Sequence, residues 1–424
     1  MAWRFLGLSL AGSQQLGKAL VPLRKSLELD PDNASARLDL AQVEAKSGAT
    51  QGAVADYRQL IRNPALDAES QRSVGLGLTA IGDNQDAISQ IRYVLEHNPE
   101  DEELTCALAR AYLQIKQPEQ AIATLQSSLS AAKHKAGLFT LLGWAYQKAN
   151  RANEAGEAYR EAIQADPRGA EPYLQLSWLY AEFHHFDEAA KTLREGLRFV
   201  SDPDSLNLQL GTILVLGGHE QEAVPVLKSF IGAQPHNPAG YTTLIINYTL
   251  LAPSYDRPLQ IAEKALQECP GDYLIHYLYA GLLFRANRQN LGQPGSEALD
   301  EQIRSELIKS VGLNPGFPHS HYDLARLEFE TNHPSAAERE ALAALRADPD
   351  FSDARYLLGR IYMKEGRKQE GAALISQVEE QHINEIDHVE SVAQALLTSQ
   401  AAASAARLPA PDGSQAAASG DTPK

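Results

Sequence analysis

"GLFTLLGWAYQKANRANEAGEAYREAIQADPRGA", residues 137–170, decides the fold. Leu138, Leu142, Ala145 and Tyr146 recur at the three-to-four spacing of one helix face. After the polar break "KANRAN", Ala155, Ala158, Tyr159, Ala162 and Ile163 do the same. "ADPRG" ends the second run, because Pro167 has no N–H to continue a helix and Asp-Pro favours a turn. The pattern predicts two short antiparallel helices. Gly143 and Ala155 are small where the two must approach, and Tyr146 and Tyr159 fill the space between them and the next unit. Helices this short are marginal alone, and one hairpin cannot bury its apolar face, whereas stacked neighbours can.

Displaced by about 34 residues, the same marks return. Downstream lie Leu176, Tyr180, Ala189 and Leu193, then Leu210, Gly211, Leu214, Ala223, Leu227 and Pro235. Upstream lie Leu108, Tyr112, Ala121 and Leu125, then Leu78, Ala87 and Pro99, then Leu40, Ala53 and Tyr57. The first unit holds Trp3, Leu6, Gly7, Leu10, Ala19, Leu23 and Pro31, so "WRFLGLSL" reads as a repeat helix rather than a leader. Leu324, Ala337 and Pro349 mark a late unit, and Leu358, Gly359, Tyr362 and Gly371 the last. About eleven units fill residues 1–384, which predicts an all-α solenoid of antiparallel helix pairs.

Trp3-Arg4-Phe5-Leu6-Gly7 and Ala155, Tyr159, Pro167 resemble the tetratricopeptide repeat signature, Trp-x2-Leu-Gly-x2-Tyr, then Ala-x3-Phe, then Pro. The resemblance implies a right-handed superhelix whose first helices line a concave groove.

The period breaks in two neighbouring units, about 238–316. In one, Pro253 and Pro258 delay the second helix by a residue. In the next, the second helix (Ser305, Leu307, Ile308) comes about ten residues late, so 288–298, with Gly292, Pro294 and Gly295, is expected as an exposed inserted loop. Tyr248, Tyr255, Tyr273, Tyr277 and Tyr279 crowd this region, and several must be core. Residues 385–402 read as a helix capping the open end of the array, and 403–424 as a disordered Ala/Ser/Pro tail.

The net charge of −16 opposes nonspecific binding to nucleic acid or anionic lipid. No run approaches a membrane-spanning length. With no leader found, a cytoplasmic location is the default, and an export signal in a missing upstream segment is the alternative. The acidic, Ala-rich composition is of a bacterial type.

The sequence carries no nucleophile elbow, phosphate loop or His-Glu-x-x-His, so neither catalysis, cofactor nor metal is expected. "VGLGLTAIG" (74–82) has the wrong spacing for a nucleotide loop and lies in a repeat helix. Cys106 and Cys269 read as small buried apolar residues. His184, His185, His319 and His321 lack partners at ligand spacing and read as surface polar residues.

The residue after each Leu-Gly mark should face the groove. Down the chain this place holds Gln42, Leu76, Arg110, Trp144, Trp178, Thr212, Ile246, Leu282, Arg326 and Arg360. Arg110, Trp144 and Trp178 form one candidate peptide-binding patch; Tyr322, Arg326, Tyr356 and Arg360 form a second. The expected function is a scaffold or adaptor holding a partner peptide or helix in the groove. The alternative is the recognition arm of an enzyme, such as a transferase, whose catalytic domain lies upstream or on another chain.

Overall fold

The predicted helical runs are helices in the computed structural model, which describes residues 1–251, 255–289 and 296–378. In the first half they are α1 (Ala2–Gly12), α2 (Leu16–Leu29), α3 (Ala34–Lys46), α4 (Thr50–Ile61), α5 (Ala68–Ile81), α6 (Asn84–His97), α7 (Glu102–Gln114), α8 (Pro118–Ser128), α9 (Lys135–Lys148), α10 (Ala152–Ala165) and α11 (Ala170–Glu182). There follow α12 (Phe186–Gly196), α13 (Asp204–Leu216), α14 (Glu220–Ala233), α15 (Pro238–Leu251), α16 (Asp256–Glu268), α17 (Tyr273–Gln289), α18 (Ser296–Leu313), α19 (Pro318–Glu330), α20 (Pro334–Ala347), α21 (Ser352–Lys364) and α22 (Lys368–Ser376). These make eleven helix pairs with no strand among the described residues: an all-α solenoid. The residues fall into two compact units, 1–179 and 180–378.

The close approach of paired helices has the expected cause. A Cβ on Gly143 would lie 2.5 Å from the Tyr159 ring, and one on Gly211 would lie 2.4 Å from Leu227. Tyr57, Tyr159, Tyr173, Tyr241 and Tyr277 are among the largest fully buried side chains. Of the crowded tyrosines, Tyr248, Tyr277 and Tyr279 are core, while Tyr255 and Tyr273 are half-buried.

The turn between paired helices has its own period. Gln14, Gly48, Gly82, Lys116, Asn150, His184 and Gly218 each have positive φ, at intervals of 34 residues, and so do Asn332 and Gly366. Each closes the first helix in the left-handed conformation, which glycine adopts without strain and other residues adopt at a cost.

Six residues after a turn proline, a polar side chain returns to that proline's carbonyl. Arg37 Nη2 donates to Pro31 O at 2.7 Å, Tyr173 Oη to Pro167 O at 3.2 Å, and Arg355 to Pro349 O. His276 Nε2 lies 3.0 Å from Pro270 O and His321 Nε2 3.1 Å from Pro315 O. This place is where the repeat signature has tryptophan, so polar bracing replaces an apolar plug there.

Pro270 follows Pro235 by 35 residues and Pro315 follows Pro270 by 45. Helix takes up much of that insertion: α17 has 17 residues and α18 has 18, against 13 and 14 in α13 and α14. The range 288–298, expected as loop, is therefore helical at 288–289 and 296–298, because "RANRQ" and "SEALDEQ" are rich in helix formers. Residues 290–295 lie outside the described residues, as do the expected capping helix at 385–402 and the tail at 403–424.

Candidate peptide-binding groove

In the first unit, the stripe on the first helices becomes more enclosed toward α11. Gln42, Leu76 and Arg110 are half-buried, whereas Trp144 is 6% and Trp178 8% exposed. Lys148, one turn beyond Trp144, holds its ammonium 5.0 Å from the centre of that indole. The expectation of open tryptophans on the wall is corrected: both indoles pack into the array, with little surface left for a ligand. An indole has more apolar area than any other side chain at this place, and burial gains most from it.

The same wall holds two residues absent from the expected patch. Glu171, Gln175 and Trp178 follow one another by four and three residues on one face of α11. Gln175 Nε2 donates to Glu171 Oε1 at 2.7 Å. Gln175 is buried, and its Oε1 has no hydrogen-bond partner. Burial pushes the Glu171 carboxyl above the usual carboxylate range, against the lowering effect of the Gln175 hydrogen bond. The signal that finds them is the same helical stripe read one and two turns earlier.

In the second unit, Thr212, Ile246 and Leu282 occupy the stripe and are buried. The place then opens: Arg360 is exposed and Tyr356 half-buried, although Tyr322 is buried against Phe351, with ring centres 5.3 Å apart. Arg326 lies over the Phe284 ring at 4.9 Å and donates from Nε to Glu330 at 3.2 Å. Burial works against its charge, but Asp323, Tyr322 and Glu330 outweigh it and raise its pKa. Arg360 lies over Phe329 at 5.4 Å, and Lys364 shares that ring at 4.8 Å. Phe284 and Phe329 are thus the platforms on which the second patch is built.

The histidines divide. His184 and His185 are exposed in a turn, as expected. His321, expected at the surface, is buried: its Nδ1 lies 2.8 Å from Glu340 Oε2 while its Nε2 faces Pro315 O. His276 repeats the arrangement, with Nδ1 2.5 Å from Glu306 Oε2. Hydrogen bonds from His321 hold Glu340 below its ordinary pKa; for Glu306, burial pushes upward but Lys309 and His276 prevail and lower it. His319 joins an aromatic row with Phe317 and Phe351, at 5.1 and 4.9 Å. Among the described residues no group of His, Cys, Asp and Glu could hold a metal ion, and no helix is long and apolar enough to cross a membrane.

The eleven stacked helix pairs among the described residues, with a mixed aromatic and basic stripe, define a helical-repeat protein of the kind that serves as an interaction scaffold. Two family models, each described as tetratricopeptide repeat, match it, one at residues 6–68 and 322–385 and the other at 78–143 and 146–209. The chain belongs to the tetratricopeptide repeat family. The matched ranges lie on either side of 210–321, which holds the irregular units. The chain is 35% identical over 96 residues to the human antiviral innate immune response effector IFIT1, covering 20% of each chain, so it spans a fifth of the length of that relative. A structure of yeast Tom70 matches with a TM-score of 0.46 and 15% identity, over 95% of this chain and 88% of that one. MamA from Desulfovibrio magneticus RS-1 matches with a TM-score of 0.35 and 23% identity, over 40% and 95%.

Proposed function

We propose that this chain is a non-catalytic scaffold whose first-helix face holds an extended or helical segment of a protein partner. The observation that carries the reading is the construction of the second patch. Arg360 is exposed, its guanidinium is laid on Phe329, and the half-buried Tyr356 lies one turn before it on α21. A cation held flat on a ring loses little freedom when it binds, and Arg and Tyr are the side chains that most often dominate protein interfaces. Arg326 on Phe284 and the buried Tyr322 extend this surface into α19. Arg110, Trp144 and Trp178 shape the wall in the first unit, the two indoles acting more through the form they give it than through exposed area. The acidic balance of the chain supports a protein partner over nucleic acid.

The test is selection of a random dodecapeptide display library on the full chain, followed by affinity measurement of the recovered peptides. Tyr356→Ala combined with Arg360→Ala should weaken them at least about tenfold. Unchanged affinity, with the helical signal intact, would overturn the reading.

A further inference from the structure

The glutamates that are buried elsewhere among the described residues each pair with a basic side chain. Glu44 pairs with Arg24 at 2.8 Å, Glu328 with Arg304 at 2.7 Å, Glu306 with Lys309 at 2.7 Å and His276, and Glu340 with His321 and with Arg339 at 2.9 Å. Glu171 departs from this pattern. It is half-buried, it accepts from Gln175, and among the described residues no Lys, Arg or His pairs with it. Beside it the Gln175 Oε1 is enclosed without a donor. Two acceptor groups thus sit together one turn before Trp178 on α11: the carboxylate has one donor, Gln175 Nε2, and the enclosed amide oxygen has none. A carboxylate enclosed without a counter-charge destabilises the fold it sits in.

We propose that Glu171 and Gln175 form a subsite for a cationic side chain, Arg or Lys, of the bound partner segment. This rests on the groove reading and adds what the groove selects. A guanidinium has five N–H donors, enough to satisfy the free carboxylate oxygen and the amide oxygen together. The chain's net charge of −16 draws a cationic segment toward the array before contact. The expected partner therefore carries a basic residue for α11.

The probe is a pair of synthetic dodecapeptide pools, random except for one fixed position that is Arg in one pool and the uncharged isostere citrulline in the other. Wild type should retain the Arg pool at least about tenfold better, and Glu171→Gln should retain both alike. Glu171→Gln keeps the shape and the Gln175 hydrogen bond, so its melting temperature at pH 7 should equal or exceed that of wild type. Retention of both pools equally by wild type would overturn this subsite and leave the groove reading standing. Retention of neither pool would overturn both. A fall in melting temperature in Glu171→Gln would assign the carboxylate a structural role and overturn the proposal. The Arg preference surviving in Glu171→Gln would overturn it as well.

Discussion

The pairs α9–α10 and α21–α22 are built on one template, yet they treat the same wall position in opposite ways. At the first, Trp144 is 6% exposed and covered by Lys148; at the second, Arg360 is exposed and rests on Phe329. Both carry a small glycine at the preceding position, Gly143 and Gly359, so the backbone place is equivalent. The difference lies in the side chain. An indole gains from entering the core, and a guanidinium gains from lying on a ring with its edge in water. A repeat array can thus vary its wall without altering its stacking, and the wall need not be equally open along its length.

The largest expected effect follows from that contrast. Trp144→Ala should remove about 3–5 kcal/mol of stability, the cost of emptying a buried aromatic site, whereas Tyr356→Ala should cost about 1 kcal/mol or less. Similar losses in chemical denaturation would break the comparison. Second is the buried bracing of the later repeats. Glu340→Gln should cost about 1–3 kcal/mol by weakening the hydrogen bond to the buried His321 and the pairing with Arg339. Because Glu340 is held below its ordinary value of 4.5, its contribution is present above that value and fades as pH falls through the lowered folded value. Acid unfolding of wild type should therefore be steeper than that of Glu340→Gln. Glu171 has the opposite sign: with its pKa raised above 4.5, its cost appears as pH rises through the raised value. Glu171→Gln should instead remove the loss of stability that sets in as pH rises above 4.5.

Smaller effects test the turns. Lys116 and Asn150 occupy the left-handed place that Gly48 and Gly82 fill without strain. Lys116→Gly should raise stability by about 0.5–1 kcal/mol, and Gly82→Lys should lower it by a similar amount. The smallest change in stability, within about 0.5 kcal/mol, is expected for Arg360→Ala, an exposed substitution that should act on binding alone.

The helix pairs were legible because the stacking of identical units forces a 34-residue recurrence of Leu, Gly, Tyr and Ala, and each of those types has a packing reason. The left-handed turn residue was hidden: its place is as regular as the core, but Gln14, Lys116 and His184 stand in it beside glycine, and chemistry does not mark it. The stripe was readable as positions and not as exposure. Whether Trp144 is open depends on how neighbouring first helices close over it, which no single repeat specifies. His321 looked like a surface residue because its partner Glu340 lies on the next helix, nineteen residues away, and not at ligand spacing. Glu171 carries no signal in the sequence, because an acid in the first turn of a helix is ordinary there; what sets it apart is the enclosed, unpartnered Gln175 oxygen beside it.

Site-specific photo-crosslinking of a selected peptide tests the central claim most directly. A benzophenone amino acid placed at Lys364, exposed one turn beyond Arg360 on the first helix α21, is compared with one at Ile308, which is 54% exposed on the second helix α18. The account predicts efficient crosslinking from position 364 and background levels from 308. Strong crosslinking from 308 and none from 364 would contradict it.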